Sequence, residues 1–138
     1  MTENKLWTIV IPNWRPILAN ELVGVHRMKA SRLKKEDTMM IRAYANLLSD
    51  REIFLRVAVP VGFYLVEQVR EVKRRVTIAI QYPQSRKRCD PDAPLKSTLD
   101  ALKTAGLIYD DRKEWCDWRK PDITSGKRLQ TIITLQDV

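Results

Sequence analysis

The sequence has few of the residues that bind transition metals or form disulfides. Its 138 residues include two cysteines, Cys89 and Cys116, and one histidine, His26, which lies far from both in sequence. Two cysteines without neighbouring histidines cannot complete the ligand set of a zinc site. We therefore interpret both cysteines as free thiols of a protein kept in a reducing cytosol.

The sequence also lacks a long apolar run. Its most apolar stretch, residues 53–66, is interrupted by Arg56 and Pro60, and no run reaches the roughly 18 apolar residues that a membrane span needs. The first residues, MTENKLW, are polar and do not resemble a signal peptide. Internal repeats and low-complexity segments are absent as well. These absences predict a soluble intracellular protein.

Positive charge is what the sequence has in excess. Its 25 lysines and arginines outnumber its 17 aspartates and glutamates, so the formal net charge is +8 at pH 7. Such an excess favours polyanionic partners, nucleic acid first and acidic membrane surfaces second, although many basic proteins bind neither. The length and the 44% apolar content suit one domain with a single core, spanning residues 1–138.

The hydrophobic pattern predicts four strands and two helices. The strands are expected at 6–11, 74–82, 115–123 and 129–136, and the helices at 31–50, capped by Ser31, and from near Pro94 to Gly106. Residues 12–30 are interpreted as a loop and 124–128 as a turn, whereas 53–71 fit both a strand and a helix. This order predicts the α+β class: a compact domain in which a mixed β-sheet packs against two main helices.

Five aspartates interrupt the cationic chain in the stretch KRCDPDAPLKSTLDALKTAGLIYDD, residues 87–111, and four of them lie near its two ends, at 90, 92, 110 and 111. Asp90 and Asp92 are two residues apart, so in extended backbone both would point to one side, where they repel unless a cation lies between them. Mg²⁺ prefers such oxygen ligands. Asp111 could return to the same point, because a helix of about 12 residues is only about 18 Å long. The pattern therefore suggests a metal site.

Each of these residues also has a simpler interpretation. Asp92 could cap the second helix, residues 110–111 could form a turn, and Lys96 could be a solvated lysine or the i,i+4 partner of Asp100. The basic run at 86–88 favours a nuclease over a plain binding module. Cations attract phosphates, and a metal held by acids can activate water against a phosphodiester.

The stretch RKRCDPDAPLKSTLDALKTAGLIYDD resembles the signature of the RusA family of Holliday-junction resolvases, found in bacteria and their phages. That signature has a basic run, D-x-D followed by Asn, a lysine, a helix ending DAL…AG, and an acidic pair. Asp90 and Asp92 match the D-x-D, Lys96 matches the lysine, and residues 110–111 match the acidic pair.

The likeness covers most of the chain but departs from the family at several positions. The final segment KRLQTIITLQ resembles the last strand of the family, and IPNWRP resembles its opening more loosely. Ala93 stands where the family usually has Asn, and Cys89 where it often has a basic residue. Residues 51–72 lie outside the likeness and would be an insertion or an altered dimer element.

The resemblance implies a homodimeric, RusA-like endodeoxyribonuclease that uses Mg²⁺ to cut four-way DNA junctions in recombination and repair. Such a protein would be encoded by a bacterium or a phage and would act in the cytoplasm. The implied catalytic residues are Asp90, Asp92, Asp111 and Lys96, and the three aspartates would bind the metal. Non-specific contacts to the DNA backbone are expected from the cations Arg86, Lys87, Arg88, Lys127 and Arg128.

Three other functions fit the same residues. A non-catalytic nucleic-acid-binding protein on this fold would bind DNA with a steep salt dependence but without regard to Mg²⁺. A structural or assembly protein would use the acids only as caps and turns. A nuclease for flap or branched DNA would keep the chemistry and change the substrate.

Overall fold

A computed structural model describes residues 5–84, 86 and 88–138, which form seven strands and two α-helices. Their order is β1 (Leu6–Pro12), α1 (Arg27–Asn46), β2 (Arg56–Val61), β3 (Tyr64–Val69), β4 (Arg74–Pro83), α2 (Leu95–Thr104), β5 (Cys116–Trp118), β6 (Asp122–Gly126) and β7 (Gln130–Asp137). Short 3-10 helices lie at Ala19–Leu22 and Arg51–Ile53. The predicted α+β class, with a mixed sheet and two main helices, is confirmed.

The main sheet is built around the long strand β4. Strand β7 lies between β1 and β4 and runs antiparallel to both. The other edge of β4 pairs in parallel, first with β5 and then with β6. Along β4 the side chains of Val76, Ile78 and Ile80 are buried on one face, as the alternating pattern predicted. Both helices cover that face and bury Ile41 and Leu102 in the same core.

Helix α1 begins earlier than the sequence suggested. The prediction of an N-cap at Ser31 is wrong, because His26 caps the helix by accepting a hydrogen bond from the Met28 N–H at Nδ1, 3.2 Å away. The residues between them are good helix formers, so the helix extends back through them. The helix ends at Asn46, before the predicted end at residue 50; Leu47 still has helical dihedral angles, and Ser49 then has a φ of 58°.

Helix α2 begins and ends where the sequence indicated. It starts at Leu95, directly after Pro94, and it ends in a Schellman motif closed by the Leu107 N–H to Leu102 C=O bond of 2.9 Å. Gly106 has a φ of 80°, and an added Cβ would lie 2.9 Å from the Cβ of Arg56. The conformation and the close approach of a neighbouring strand both require glycine at this position.

The ambiguous segment forms a β-hairpin that stands away from the main sheet. Strands β2 and β3 pair only with each other and are joined by Gly62 and Phe63. Almost every residue in them is exposed, and the Phe63 side chain is fully so. Neither face of the hairpin is covered by the main sheet or the helices, and apolar residues occur on both faces. The sequence therefore shows no alternation that could distinguish a strand from a helix here.

The predicted strand at 115–123 is two strands. A break after Trp118 separates β5 from β6, and both then pair with β4 at different points along its length. The prediction of a turn at 124–128 is wrong at its first three residues, because Thr124 pairs with Gln81 and Gly126 with Pro83. In the described part of the chain, neither helix is both long and apolar enough to cross a membrane.

Candidate functional site

A tight turn between β4 and α2 brings Asp90 and Asp92 to one cavity. The Ala93 N–H donates to the Asp90 C=O at 3.1 Å, and Pro91 takes the second position of this β-turn, where its fixed φ is favoured. The backbone is therefore not extended here, contrary to the sequence prediction. Both aspartates nevertheless line the same open cavity, which has a volume of about 830 Å³.

The segment that follows β1 also lines this cavity. The Ala19 N–H donates to the Ala93 C=O at 3.0 Å, which ties that segment to the acidic turn. The Ser97 hydroxyl, in the first turn of α2, donates to the Ile17 C=O. These two contacts hold together parts of the chain that are more than 70 residues apart in sequence.

Both acidic side chains are surrounded by cations but not paired with them. The cavity is lined by four cationic side chains beside the two aspartates, namely Arg15, Arg86, Arg88 and Lys120. Among the residues that the structure describes, neither Asp90 nor Asp92 has a side-chain hydrogen bond or ion pair. The interpretation of Asp92 as a helix cap is wrong, because no side chain caps α2. Two carboxylates thus remain available at the cavity.

Arg15 is held in place before any ligand arrives. Its Nη1 and Nη2 atoms lie 2.7 and 3.1 Å from the two carboxylate oxygens of Glu21, and Nη1 also donates to the Pro16 C=O at 3.1 Å. The hydrogen bond with Glu21 raises the pKa of Arg15. Glu21 is fixed in turn by the Leu18 N–H at 2.8 Å. The guanidinium is therefore pre-organised at the cavity wall.

Tyr82 forms the buried side of the cavity. Its side chain is 2% exposed, and its hydroxyl has no hydrogen-bond partner among the described residues. Burial raises the pKa of Tyr82 to about 12, and the nearby Cys89 contributes. The guanidinium of Arg86 lies 5.6 Å from the centre of the Tyr82 ring, within range of a cation–π contact. Tyr82 is thus a neutral phenol that helps to position a cation.

The second acidic pair lies outside this cavity lining. The Asp111 N–H donates to Asp110 Oδ1 at 2.7 Å, and Asp110 forms ion pairs with Lys103 at 3.3 Å and with Arg112 at 2.8 Å. The contact between the two carboxyl groups lowers the pKa of Asp110 and raises that of Asp111. Asp110 thus connects the loop after α2 to Lys103 and Arg112, and the turn interpretation of residues 110–111 stays a prediction.

The predicted convergence of three aspartates is not formed in this structure. Within residues 5–84, 86 and 88–138, no three histidine, cysteine, aspartate or glutamate side chains lie in a group that could hold a metal ion. Asp90 and Asp92 share the cavity, and Asp111 does not line it. The carboxylate oxygens of Asp90 and Asp92 are ligands of the kind that Mg²⁺ prefers. The metal role of all three aspartates stays a prediction.

The other predicted residues are dispersed. Lys96 is exposed in the first turn of α2 and does not line the cavity; the ion pair with Asp100 that the spacing allowed is absent among the described residues. Lys127 and Arg128 are exposed in the loop before β7, where the Arg128 C=O accepts a 3.0 Å bond from Gln81. Lys87 lies outside the described residues.

Sequence reasoning missed three residues of the cavity. Arg15 had a weak signal, since it lies in the IPNWRP segment that loosely resembled the family opening. Tyr82 was assigned only to a strand, and nothing in the sequence marked Lys120. These residues line the cavity because segments distant in sequence contact one another in the fold, and no local sequence pattern indicates such contacts.

Asp37 supports the segment that carries Arg15. Its carboxylate is 6% exposed and accepts a 2.9 Å hydrogen bond from the Ile17 N–H. Burial raises the pKa of Asp37 from 3.8 to about 6, against the opposing effect of that hydrogen bond. The folded protein therefore holds this proton more tightly than the unfolded chain does, and stability is lost as the pH rises from about 4 to 6.

Replacing Asp37 with asparagine is expected to stabilise the protein at pH 7–8 by about 1–3 kcal/mol, because the amide keeps an acceptor for Ile17 without the buried charge. Urea unfolding at pH 4 and pH 7.5 measures the effect, which should vanish at the lower pH. Glu36→Gln, on the exposed neighbour, is the matched control and should change little. An equal loss of stability at both pH values in the Asp37 variant would contradict the argument.

Comparison with models of known protein families found none that matches this chain, and comparison with curated proteins found no match either. The resemblance to the RusA family is therefore a prediction from the motif at residues 86–111. The structure adds the cavity itself, in which two carboxylates without a partner among the described residues lie beside four cations.

Proposed function

We propose that this protein is a Mg²⁺-dependent, structure-selective endodeoxyribonuclease that resolves four-way DNA junctions, as the resemblance implies. The observation that best supports the proposal is the cavity that contains Asp90 and Asp92 together with Arg15, Arg86 and other cations. The cations suit a phosphate backbone, and the two aspartates suit the metal that phosphodiester hydrolysis commonly uses.

Asp90 and Asp92 flank Pro91 on the same turn, and the described residues provide no direct partner for either carboxylate. A divalent cation bound by both carboxylates would offset their mutual repulsion. Asp90 and Asp92 would hold Mg²⁺, which when bound supplies a Lewis acid and an activated water. Asp111 belongs to this set by resemblance alone.

The rest of the cavity would hold the substrate. Arg15, already fixed by Glu21, can bind a phosphate without reordering its side chain, which lowers the entropic cost of binding. Arg88 and Lys120 line the same space and add attraction for the backbone. None of these contacts distinguishes one base from another, so selection would depend on the shape of the DNA. Lys96 is proposed to assist at the phosphate, by resemblance alone.

The test is a cleavage panel of synthetic four-way junctions, flaps and linear duplexes with Mg²⁺. The proposal expects cuts in the junction, placed in opposing strands, and little or no cutting of the duplex. Cleavage of flaps in preference to junctions would keep the chemistry and change the substrate to other branched DNA. If all three substrates remain intact, the nuclease proposal is wrong.

A non-catalytic DNA-binding protein is the second candidate. The observation that favours it is the position of Asp111, which does not line the cavity with the other two aspartates. This candidate expects binding that weakens steeply with salt but is the same with Mg²⁺ and with EDTA. It also expects that neutralising Asp90 or Asp92 changes affinity only.

We also propose that the protein is a homodimer, with the β2–β3 hairpin as the contact. A two-stranded hairpin is marginal in water by itself, and this one exposes the apolar side chains of Phe63 and Leu65. Its two charged residues, Arg56 and Glu67, neutralise each other at 3.1 Å. An apolar, uncharged arm on a basic chain suits a second protein copy better than a phosphate backbone.

The double change Phe63→Ser and Leu65→Ser is expected to convert a dimer into a monomer, because it removes two highly exposed apolar side chains near the hairpin tip. Light scattering should then report one chain mass of 16.1 kDa instead of twice that value. Val23→Ser is the control, since Val23 is equally exposed but lies elsewhere. A monomeric wild-type protein would disprove the dimer without affecting the nuclease test.

A further inference from the structure

Helix α1 carries half of the net charge of the chain. Its 20 residues include six lysines and arginines and two acids, a net charge of +4 compared with +8 for the whole sequence. One of those acids, Asp37, is buried, so Glu36 is its only exposed acid. The solvent-facing side is lined by the five cations Arg27, Lys29, Arg32, Lys34 and Lys35, here called the α1 basic face.

The α1 basic face is not neutralised within the part of the chain that the structure describes. None of its five cations forms an ion pair there, whereas the surface cations Lys5, Arg75 and Lys103 each contact a carboxylate. Lys29, Arg32 and Lys35 follow at intervals of three residues, so they form a row of like charges along one side of the helix. Repulsion within such a row destabilises the isolated helix, and a bound polyanion would offset that repulsion.

The direction of the helix adds to this imbalance. Acids normally occupy the first turn of a helix, because the N-terminal end carries partial positive charge. The first turn of α1 has no acid and instead contains Arg27 and Lys29. The partial positive charge of the helix N-terminus and the charges of these two side chains therefore coincide at one end of α1, and they make its surface strongly positive.

This surface is continuous with the candidate active site. Lys29 and Arg15 line one concavity, together with the acids Glu21, Glu36 and Asp37, and Arg15 also lines the cavity with Asp90 and Asp92. A ligand that fills the cavity and extends past Arg15 meets α1 next. The side chain of Arg15 is thus shared between the site that would cut a phosphodiester and the surface beside it.

We infer that the α1 basic face binds the phosphate backbone of a duplex DNA arm that extends from the cavity. This inference rests on the proposed function for the identity of the nucleic acid. The five cations span nine residues, about 12 Å of helix. Double-stranded DNA carries a charge about every 1.7 Å, so roughly seven phosphate charges lie along that distance. An acidic membrane is a weaker partner, because Ile41 and Ala45 on the apolar side of α1 are buried in the core and cannot enter lipid.

The test is the salt dependence of DNA binding. Fluorescence anisotropy with a labelled 30-base-pair duplex and a four-way junction, in EDTA to prevent cleavage, compares the wild type with the triple variant Lys29→Gln, Arg32→Gln, Lys35→Gln. Loss of three phosphate contacts should lower the slope of log K against log salt by about 2.7 and weaken binding about 10- to 100-fold at 0.1 M NaCl. The rate of cleavage at saturating protein should be unchanged.

The matched control removes three cations elsewhere: Arg51→Gln, Lys73→Gln and Lys113→Gln, all exposed and outside the α1 basic face. It lowers the net charge equally but should leave the slope near that of the wild type. Equal slopes for the two triple variants would overturn the inference. So would a wild type that binds phosphatidylserine vesicles more tightly than duplex and loses only that binding in the α1 variant.

The outcome separates this inference from the proposed function. A protein that cuts junctions but binds DNA equally well without the three α1 cations keeps its nuclease function and loses the inference. A protein that binds duplex through α1 but cuts none of the panel keeps the inference and loses the nuclease function. Circular dichroism of both triple variants establishes that each is folded.

Discussion

Asp90→Asn is expected to reduce Mg²⁺-dependent cleavage of a four-way junction about a thousand-fold, and Asp92→Asn equally. Each change removes one of the two free carboxylates of the cavity while preserving the size of the side chain. A thousand-fold loss corresponds to about 4 kcal/mol of transition-state stabilisation, which is the scale expected when a metal-binding group is lost. Single-turnover cleavage with Mg²⁺ measures it.

In the Asp90→Asn variant, the affinity for DNA without metal should rise, whereas the cleavage rate falls. In EDTA, the Asp90 carboxylate repels the phosphates that Arg15 and Lys120 attract, so its neutralisation should tighten binding. A residue with only a structural role would not combine lost cleavage with stronger binding. Measuring both in one variant therefore distinguishes a metal ligand from a residue that holds the turn together.

Asp122→Asn is the matched control for both measurements. Asp122 is an exposed acid on β6, outside the lining of the cavity, so the change in net charge is the same. Its cleavage rate should stay within about two-fold of the wild type, as is usual for surface substitutions away from a site. Full activity in Asp90→Asn and Asp92→Asn would show that these carboxylates do not bind an essential metal.

Arg74→Met is expected to lower the free energy of unfolding by about 3–5 kcal/mol, the largest stability effect that the structure suggests. The side chain of Arg74 is completely buried. Its Nε donates to Asp137 at 2.8 Å, and its Nη1 donates to the Leu107 C=O at 2.8 Å and to the Ile53 C=O. Methionine fills the space but leaves these acceptors without a donor, which is the costly part of the change.

Arg74 connects several segments, of which β7 is also paired directly with its own strand, β4. Its Nη2 donates to the Glu52 C=O at 3.0 Å, before the hairpin, while Leu107 follows α2 and Asp137 ends β7. Its guanidinium also lies 4.5 Å from the centre of the Trp7 ring, on β1. One side chain thus joins four parts of the fold, so its loss should affect cooperative unfolding as a whole.

Arg75→Met provides the comparison, because Arg75 is the next residue on β4 and also forms an ion pair. It contacts Asp117 at 2.9 Å, but both side chains are more than a third exposed. Water screens such a pair, so its loss should cost less than about 1 kcal/mol. Urea unfolding curves of both variants test the difference. Similar losses for the two arginines would contradict the role given to burial.

The strands β4 and β7 could be predicted from the sequence because their side chains alternate strictly. In β4, Val76 and Ile78 point to the core while Thr77 points away from it, and this period of two is a property of the strand itself. Gly106 was equally informative, because few residues other than glycine adopt its φ of 80°. Such features depend on one residue and its neighbours.

The hairpin at 56–69 could not be predicted in the same way. Its residues are apolar on both faces, and the tertiary structure leaves both faces exposed, so no period marks which side is buried. The start of α1 was missed for a related reason. Ser31 is a good N-cap in isolation, but His26 caps the helix because the chain before it turns at that point.

The run of acids and cations between residues 86 and 111 can be found from the sequence, because these residues are neighbours in the chain. That Arg15 and Lys120 join Asp90 and Asp92 in one cavity, and that Asp111 does not line it, depends on tertiary contacts. The bond from Ala19 to Ala93 docks a distant segment against the acidic turn, and its energy depends on the whole core being packed. Contacts of that kind carry no local signature, because they form between residues that meet only when the chain has folded.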